Sequence, residues 1–336
     1  MFCNALKLKW LASAFFVSLL TMSCSDDPVP ELKGNWYQNS LPDFEGVGRR
    51  SAVGFSIGNK GYIGTGYSSD GSRLSDFWEY DADVRAWKQI ANFAGGARHD
   101  ATAFVIDNKA YVGSGYDGSY KQDFYSFDPA ANKWTEIASI PGARQYASAF
   151  AVNGKGYAGM GYDGNHKQDF YEYNPSTDSW KTMASFLGGK RRGTVAFTLD
   201  NKGYVGLGVS NGVYQNTIYQ FTPEANNANG EWVEKAALTD PDDTNKTFPR
   251  AFAVPLVLNN KVYIVGGTSG GNMSDTWEYD PAANAWTQKT NFEGAARAYA
   301  VGFVINNSAY FGTGSSSSMH DDFWGFDPNA EQVDND

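Results

Sequence analysis

Residues 54–67, GFSIGNKGYIGTGY, set apolar and small side chains on either side of a polar turn at Gly58-Asn59. Apolar residues run up to the turn, and an aromatic strand leaves it and ends in glycines. Asn, Asp and Gly pairs between β-type runs are the strongest short-range hairpin signal. The stretch therefore predicts two short strands joined tightly. Five close copies follow: AFVIDNKAYVGSGY from Ala103, AFAVNGKGYAGMGY from Ala149, AFTLDNKGYVGLGV from Ala196, PLVLNNKVYIVGGT from Pro255 and GFVINNSAYFGTGS from Gly302.

Three landmarks stay in register through all six copies. The second strand carries Tyr62, Tyr111, Tyr157, Tyr204, Tyr263 and Tyr310, spaced 46 to 59 residues apart. Thirteen residues before each tyrosine stands Arg49, Arg98, Arg144, Arg191, Arg250 or Arg297. Four residues after each stands Gly66, Gly115, Gly161, Gly208, Gly267 or Gly314. Such a period marks stacked supersecondary units that bury a continuous core, and it overrides the two or three domains that 336 residues would otherwise suggest.

The second copy shows the whole unit. Arg98 leads into a first strand ending near Ile106, Lys109 to Gly115 forms the second, and a polar loop runs from Tyr116 to Gln122. Asp123 to Phe127 is the third strand, stopped by Asp128-Pro129, because proline cannot donate to a ladder. Asn132-Lys133-Trp134-Thr135 opens the fourth. Four antiparallel strands per unit make one propeller blade, so the fold class is all-β, a six-bladed propeller.

The fourth-strand tryptophans are Trp87, Trp134, Trp180, Trp232 and Trp286, one fewer than the arginines. Trp36 supplies the sixth. The segment Asp43 to Arg49 also mirrors Asn291 to Arg297. The N-terminal strand is thus expected to complete the last blade, which removes the unpaired edges of an open ring.

The spacing assigns residues 34–328 to the propeller, 24–33 to a tether with Pro28 and Pro30, and 329–336 to a C-terminal tail. Residues 1–23 read as a secretory signal: Lys7 and Lys9 precede an apolar run from Trp10 to Leu20, too short to span about 30 Å of hydrocarbon. Leu20-Thr21-Met22-Ser23-Cys24 resembles a relaxed bacterial lipobox, which implies lipidation at Cys24. Ser25-Asp26-Asp27 weakly resembles a surface-export signal. The expected location is the bacterial outer membrane, periplasmic or surface-exposed, with membrane contact through the lipid only.

The net charge is −10, which repels phosphate backbones and argues against nucleic acid as a partner. The cysteines are Cys3 and Cys24, so the repeats hold no disulfide, thiolate metal site or cysteine nucleophile.

Alternation places the loop before strand one and the loop between strands two and three on one face. The six arginines therefore ring one mouth of the channel. Asp76, Asp123, Asp169, Asp275 and Asp322 enter strand three on that face, with Thr217 at the equivalent place in blade four. Tyr67, Tyr116 and Tyr162 follow the glycines there. One reading pairs each arginine with an aspartate as a structural clamp, since guanidinium and carboxylate match geometrically. The other makes the arginines and tyrosines a socket for an acidic sugar or a carboxylate-rich peptide. On that second reading, the break at Thr217, beside the long loop holding Asp240, Asp242 and Asp243, puts the expected site between blades three and five.

The acidic loop matches no full calcium motif, and His99, His166 and His320 fall on different blades, so no metal or other cofactor is expected. No phosphate loop, nucleophile elbow or close glutamate pair is visible.

The arginine, the aromatic strand ending in glycines, the Tyr-Asp-Pro and the tryptophan together resemble the kelch-repeat family. Val265-Gly266-Gly267, Tyr279-Asp280-Pro281 and Trp286 form the nearest copy of its pattern. Two enzymatic members of that family bear on activity. Galactose oxidase needs a thioether-linked cysteine at copper, and the repeats here have none. The N-acetylneuraminate mutarotase carries an acid–base glutamate between strands two and three. The corresponding loops here, such as Gly66 to Ser75 and Gly115 to Gln122, contain no glutamate. The resemblance therefore implies a monomeric, non-catalytic binding module for a glycan or protein ligand. The alternative is a mutarotase or other isomerase acting on an acidic sugar such as a sialic acid.

Overall fold

The computed structural model describes residues 32–334 and 336. The signal, the lipobox at Cys24 and most of the tether lie outside those residues. Six four-stranded antiparallel sheets account for nearly all regular structure among them. The first blade is Val53–Ile57, Lys60–Gly64, Phe77–Asp81 and Ala86–Ile90. Equivalent blades begin at Thr102, Ser148, Val195, Val254 and Val301. Each first strand lies beside the first strands of two neighbours, and the ring closes from blade six to blade one. The first strands are innermost and line a central channel of about 540 Å3.

Every first strand alternates buried and half-buried residues. In blade one, Val53, Phe55 and Ile57 are the buried set, while Gly54 and Ser56 line the channel. A strand's side-chain period of two makes that division automatic. The core is consequently six separate apolar layers, one between each pair of neighbouring blades.

Tryptophans stitch those layers. The indole N–H of Trp134 donates to the Ala91 carbonyl of the preceding blade at 3.0 Å, and Trp180, Trp232 and Trp286 repeat the contact at 2.8 to 3.0 Å. Ring closure follows the expected route. Asn35–Tyr37 pairs antiparallel with Phe323–Asp327, setting Trp36 opposite Phe326. Trp36 is fully buried and stacks on Phe326 at 4.4 Å.

The glycine four residues after each anchor has a specific task. Gly115 sits at φ 96° and donates its N–H to the Arg144 carbonyl at the start of the next blade. A Cβ there would stand 2.8 Å from the His99 carbonyl oxygen. The same latch joins all six blades, from Gly66 to Arg98 round to Gly314 and Arg49. Close backbone approach in a left-handed conformation is what only glycine tolerates cheaply.

Candidate functional site

The repeated arginines form the wall around the mouth. Arg49 Nη1 and Nη2 donate to both oxygens of Asp76 at 2.7 Å each, and Nη1 also reaches the Thr65 carbonyl at 3.1 Å. Arg98–Asp123, Arg144–Asp169 and Arg250–Asp275 repeat the fork at 2.6 to 2.8 Å, and Arg297–Asp322 forms it too. All five pairs lie within a blade. The six arginines are 0–3 % exposed. Burial alone would raise the carboxyl pKa of Asp76, Asp169 and Asp322, but the bidentate guanidinium overcomes it and holds each below the usual carboxylate range.

Arg49, Arg98, Arg144, Arg191, Arg250 and Arg297 are all buried, and in every one but Arg191 both terminal nitrogens meet an aspartate, which favours the clamp reading over the socket for those five. Blade four departs from the pattern at Thr217. Arg191 stays buried, donating to the Leu207 carbonyl at 3.0 Å and to Thr217 Oγ1 at 3.2 Å. Burial without a carboxylate lowers its pKa. In the adjoining acidic loop, Asp240 is bonded to Lys246 at 2.8 Å. No group of three His, Cys, Asp or Glu suited to a metal occurs among the described residues.

Past the clamp, the next residue of each repeat stands at the rim and the two after it line the neck. One step past the clamp, Arg50, His99, Gln145, Arg192, Ala251 and Ala298 pair their backbones with Tyr67, Tyr116, Tyr162, Val209, Thr268 and Ser315. Blades one to three thus carry tyrosine at the rim, and blades five and six carry small residues. Two steps past the clamp, Ser51, Asp100, Tyr146, Gly193, Phe252 and Tyr299 all adopt φ between 56° and 63°. Backbone hydrogen bonds of 2.8 to 3.1 Å tie them across blade boundaries, among them Asp100 N–H to Ser51 and Phe252 N–H to Gly193. These residues line a neck of about 170 Å3 that shares lining with the channel beneath.

Three arginines at this rim have no carboxylate partner among the described residues, and each lies over a tyrosine. Arg50 covers Tyr67 at 5.5 Å and Tyr299 at 5.7 Å. Arg73 covers Tyr116 at 5.4 Å. Arg192 covers Tyr162 at 4.6 Å and Tyr146 at 5.7 Å. Nε of Arg73 and Nε of Arg192 are buried without a hydrogen-bond partner among the described residues. The tyrosines expected at a ligand, Tyr67, Tyr116 and Tyr162, are therefore together, but with arginines other than those expected beside them. Only Arg192 and Tyr162 fall in the sector between blades three and five.

His99 lies between Tyr67 and Tyr116 at 5.2 and 5.6 Å, with Nδ1 2.6 Å from Asp100 Oδ2. Tyr120 links Tyr116 to Tyr162, and Phe252 links Tyr146 to Tyr299. The result is a closed circuit of aromatic and cationic side chains around one end of the channel. Unpaired guanidiniums present planar donor forks to carboxylates, and aromatic faces offer apolar stacking surface.

Sequence reasoning missed Arg50, Arg73, Arg192, Asp100, Tyr146, Phe252 and Tyr299. The available signal was the second residue after each arginine. It reads Ser, Asp, Tyr, Gly, Phe and Tyr, while its surroundings repeat.

A family model described as the KLHDC2/KLHL20/DRC7 Kelch-repeats domain matches residues 33–205, and one described as the Kelch motif matches residues 249–293. No curated protein matches the chain by sequence. Among solved structures, one titled "Structure of YjhT" aligns with a TM-score of 0.70 at 18 % identity, covering 84 % of this chain and 95 % of that one. At that identity the likeness is one of fold.

Proposed function

The chain belongs to the kelch-repeat β-propeller family, and from that premise we propose that it is a non-catalytic binding module for a carboxylate-bearing glycan or protein ligand. The observation that supports this is the set of three uncommitted guanidiniums, Arg50, Arg73 and Arg192, stacked on tyrosines at the mouth. Five clamp arginines have their charge met by an aspartate; these three do not. A ligand carboxylate would supply what Asp76 or Asp123 supplies to the wall. Attached by a lipid at Cys24, the propeller would act as a monomer at the bacterial envelope.

The test is equilibrium binding of an acidic glycan panel and an oligoglutamate peptide to the wild type and to an Arg50→Ala/Arg192→Ala double variant. Loss of at least tenfold in affinity is expected, because charge-assisted hydrogen bonds each contribute roughly 1.5–3 kcal/mol. Unchanged affinity would remove the rim from recognition. Fatty-acid labelling that persists in a Cys24→Ala variant would remove the lipid anchor.

One feature favours the second reading, an isomerase or mutarotase for an acidic sugar: His99 and Asp100 place two titratable groups in contact at the neck. Proton NMR of a freshly dissolved single anomer of N-acetylneuraminate separates the two. Interconversion accelerated by the protein supports the enzyme, and an unchanged rate supports the binder.

A further inference from the structure

Asp100 differs from every clamp carboxylate. Its side chain is 1 % exposed, and Oδ2 meets His99 Nδ1 at 2.6 Å. Its other oxygen, Oδ1, is buried with no hydrogen-bond partner among the described residues. The clamp aspartates engage a guanidinium with both oxygens. The hydroxyl of Tyr146 lies beside the same carboxylate without closing a bond to Oδ1, and leaving a buried acceptor unmade costs free energy, so a further donor at this cavity would be favoured.

The surroundings restrict what that donor belongs to. Tyr146 and Tyr299 flank Asp100, and burial first, then the Asp100 charge, raises the pKa of both hydroxyls. They stay protonated and neutral. Phe252 packs between their rings at 5.1 and 4.2 Å, occupying the space a Cβ on Gly193 would need. The neck has a cavity volume of about 170 Å3. Arg50 and Arg192 act on the tyrosines that flank this carboxylate, so the local field disfavours a bare ammonium ligand. A hydroxyl donor carried on an anionic, ring-shaped ligand meets every one of these conditions.

We propose that the neck seats the terminal ring of a sugar acid. A ring hydroxyl donates to Asp100 Oδ1, the apolar face of the ring lies on the Tyr146–Phe252–Tyr299 cluster, and the carboxylate meets Arg192. The proposal rests on the reading of the rim as a carboxylate-binding surface, and it narrows that ligand from any carboxylate to a hydroxylated ring acid.

Titration calorimetry with glucuronate, N-acetylneuraminate, glucose and an oligoglutamate peptide tests it against wild type, Asp100→Asn and Arg192→Ala. Asparagine tolerates the left-handed backbone that Asp100 occupies at φ 57°, so the fold is expected to persist, with unchanged thermal midpoint as the check. At least one sugar acid is expected to bind more tightly than glucose and the peptide. Asp100→Asn should weaken it about tenfold to a hundredfold while leaving peptide affinity unchanged. Sugar-acid binding that is indifferent to Asp100→Asn, or peptide binding with no sugar-acid binding, overturns the neck proposal and leaves the rim reading standing. Failure of every anion to bind overturns both.

Discussion

Arg49 and Arg50 are neighbours in the chain and occupy opposite kinds of environment, as do Arg191 and Arg192. Arg49 is fully buried and forks onto Asp76 at 2.7 Å. Arg50 is half-buried, without a carboxylate, and spread over Tyr67 and Tyr299. The buried arginine recurs six times in register, five times with the aspartate fork, and the second kind occurs only where a blade departs from its siblings. In a symmetric ring, a residue that every blade needs is a residue the ring needs to stand. A residue that one blade alone carries has no such reason to be there. Repetition marks the wall and irregularity marks the mouth.

The strongest test of that division is Arg49→Ala. It strands the Asp76 carboxylate, which is about four-fifths buried, and removes the Thr65 contact. Breaking a buried pair by deleting one partner costs about 3 kcal/mol or more. A lower urea midpoint with an unchanged slope would show it. A loss below about 1 kcal/mol would mean the clamps are ornamental and the wall reading is wrong.

Acid should reveal the same wall. The folded-state pKa values of Asp76, Asp169 and Asp322 are depressed below the unfolded value of about 3.9. Their contribution is complete above about pH 4 and is lost as pH falls through the folded values. Urea midpoints measured between pH 5 and pH 2.5 should fall accordingly. Arg49→Ala should flatten that fall by removing the partner of Asp76, and Arg50→Ala should not.

How much of this was legible in the chain follows from the same contrast. The blades, their number and the closure by Trp36 rest on residues that recur at fixed offsets, and counting five tryptophans against six arginines was enough to join Asn35–Tyr37 to the last blade. The site does not recur, so a search for recurrence discards it. Arg50 and Arg192 read as duplicates of the arginines beside them, and Arg73 reads as an ordinary loop cation. Asp100 and Tyr146 enter the neck only because the residue two places past each clamp turns left-handed, near φ 57°. Nothing in an aspartate or a tyrosine announces that conformation. The burial of the clamps was equally invisible, since a bidentate pair reads the same whether it faces solvent or is packed behind tyrosines.

Blade four offers a gain instead of a loss. Arg191 is desolvated like its five siblings, yet it faces Thr217 Oγ1 at 3.2 Å in place of a carboxylate. Thr217→Asp restores the missing fork. The Coulombic gain is offset in part by burying the new charge, so the net stabilisation expected is about 1 kcal/mol. A higher urea midpoint, accompanied by a steeper loss of stability below pH 4, is the result that extends the wall to all six blades. Destabilisation would show that blade four is built around the hydroxyl.

The smallest expected effect on stability is also the one that separates the two regions most cleanly. Arg50→Ala strands no carboxylate among the described residues, because none of them lies against its guanidinium. What it loses is stacking over Tyr67 and Tyr299, and a cation over an aromatic ring near solvent contributes about 0.5–1 kcal/mol. The backbone pairing of Arg50 with Tyr67 persists, since it needs no side chain. The variant should therefore unfold within about 1 kcal/mol of wild type, against about 3 kcal/mol for Arg49→Ala one residue earlier. Equal costs at the two positions would mean that the tyrosine-stacked arginines also hold the ring together. The rim would then be a second structural tier, and irregularity in the repeat would carry no functional information.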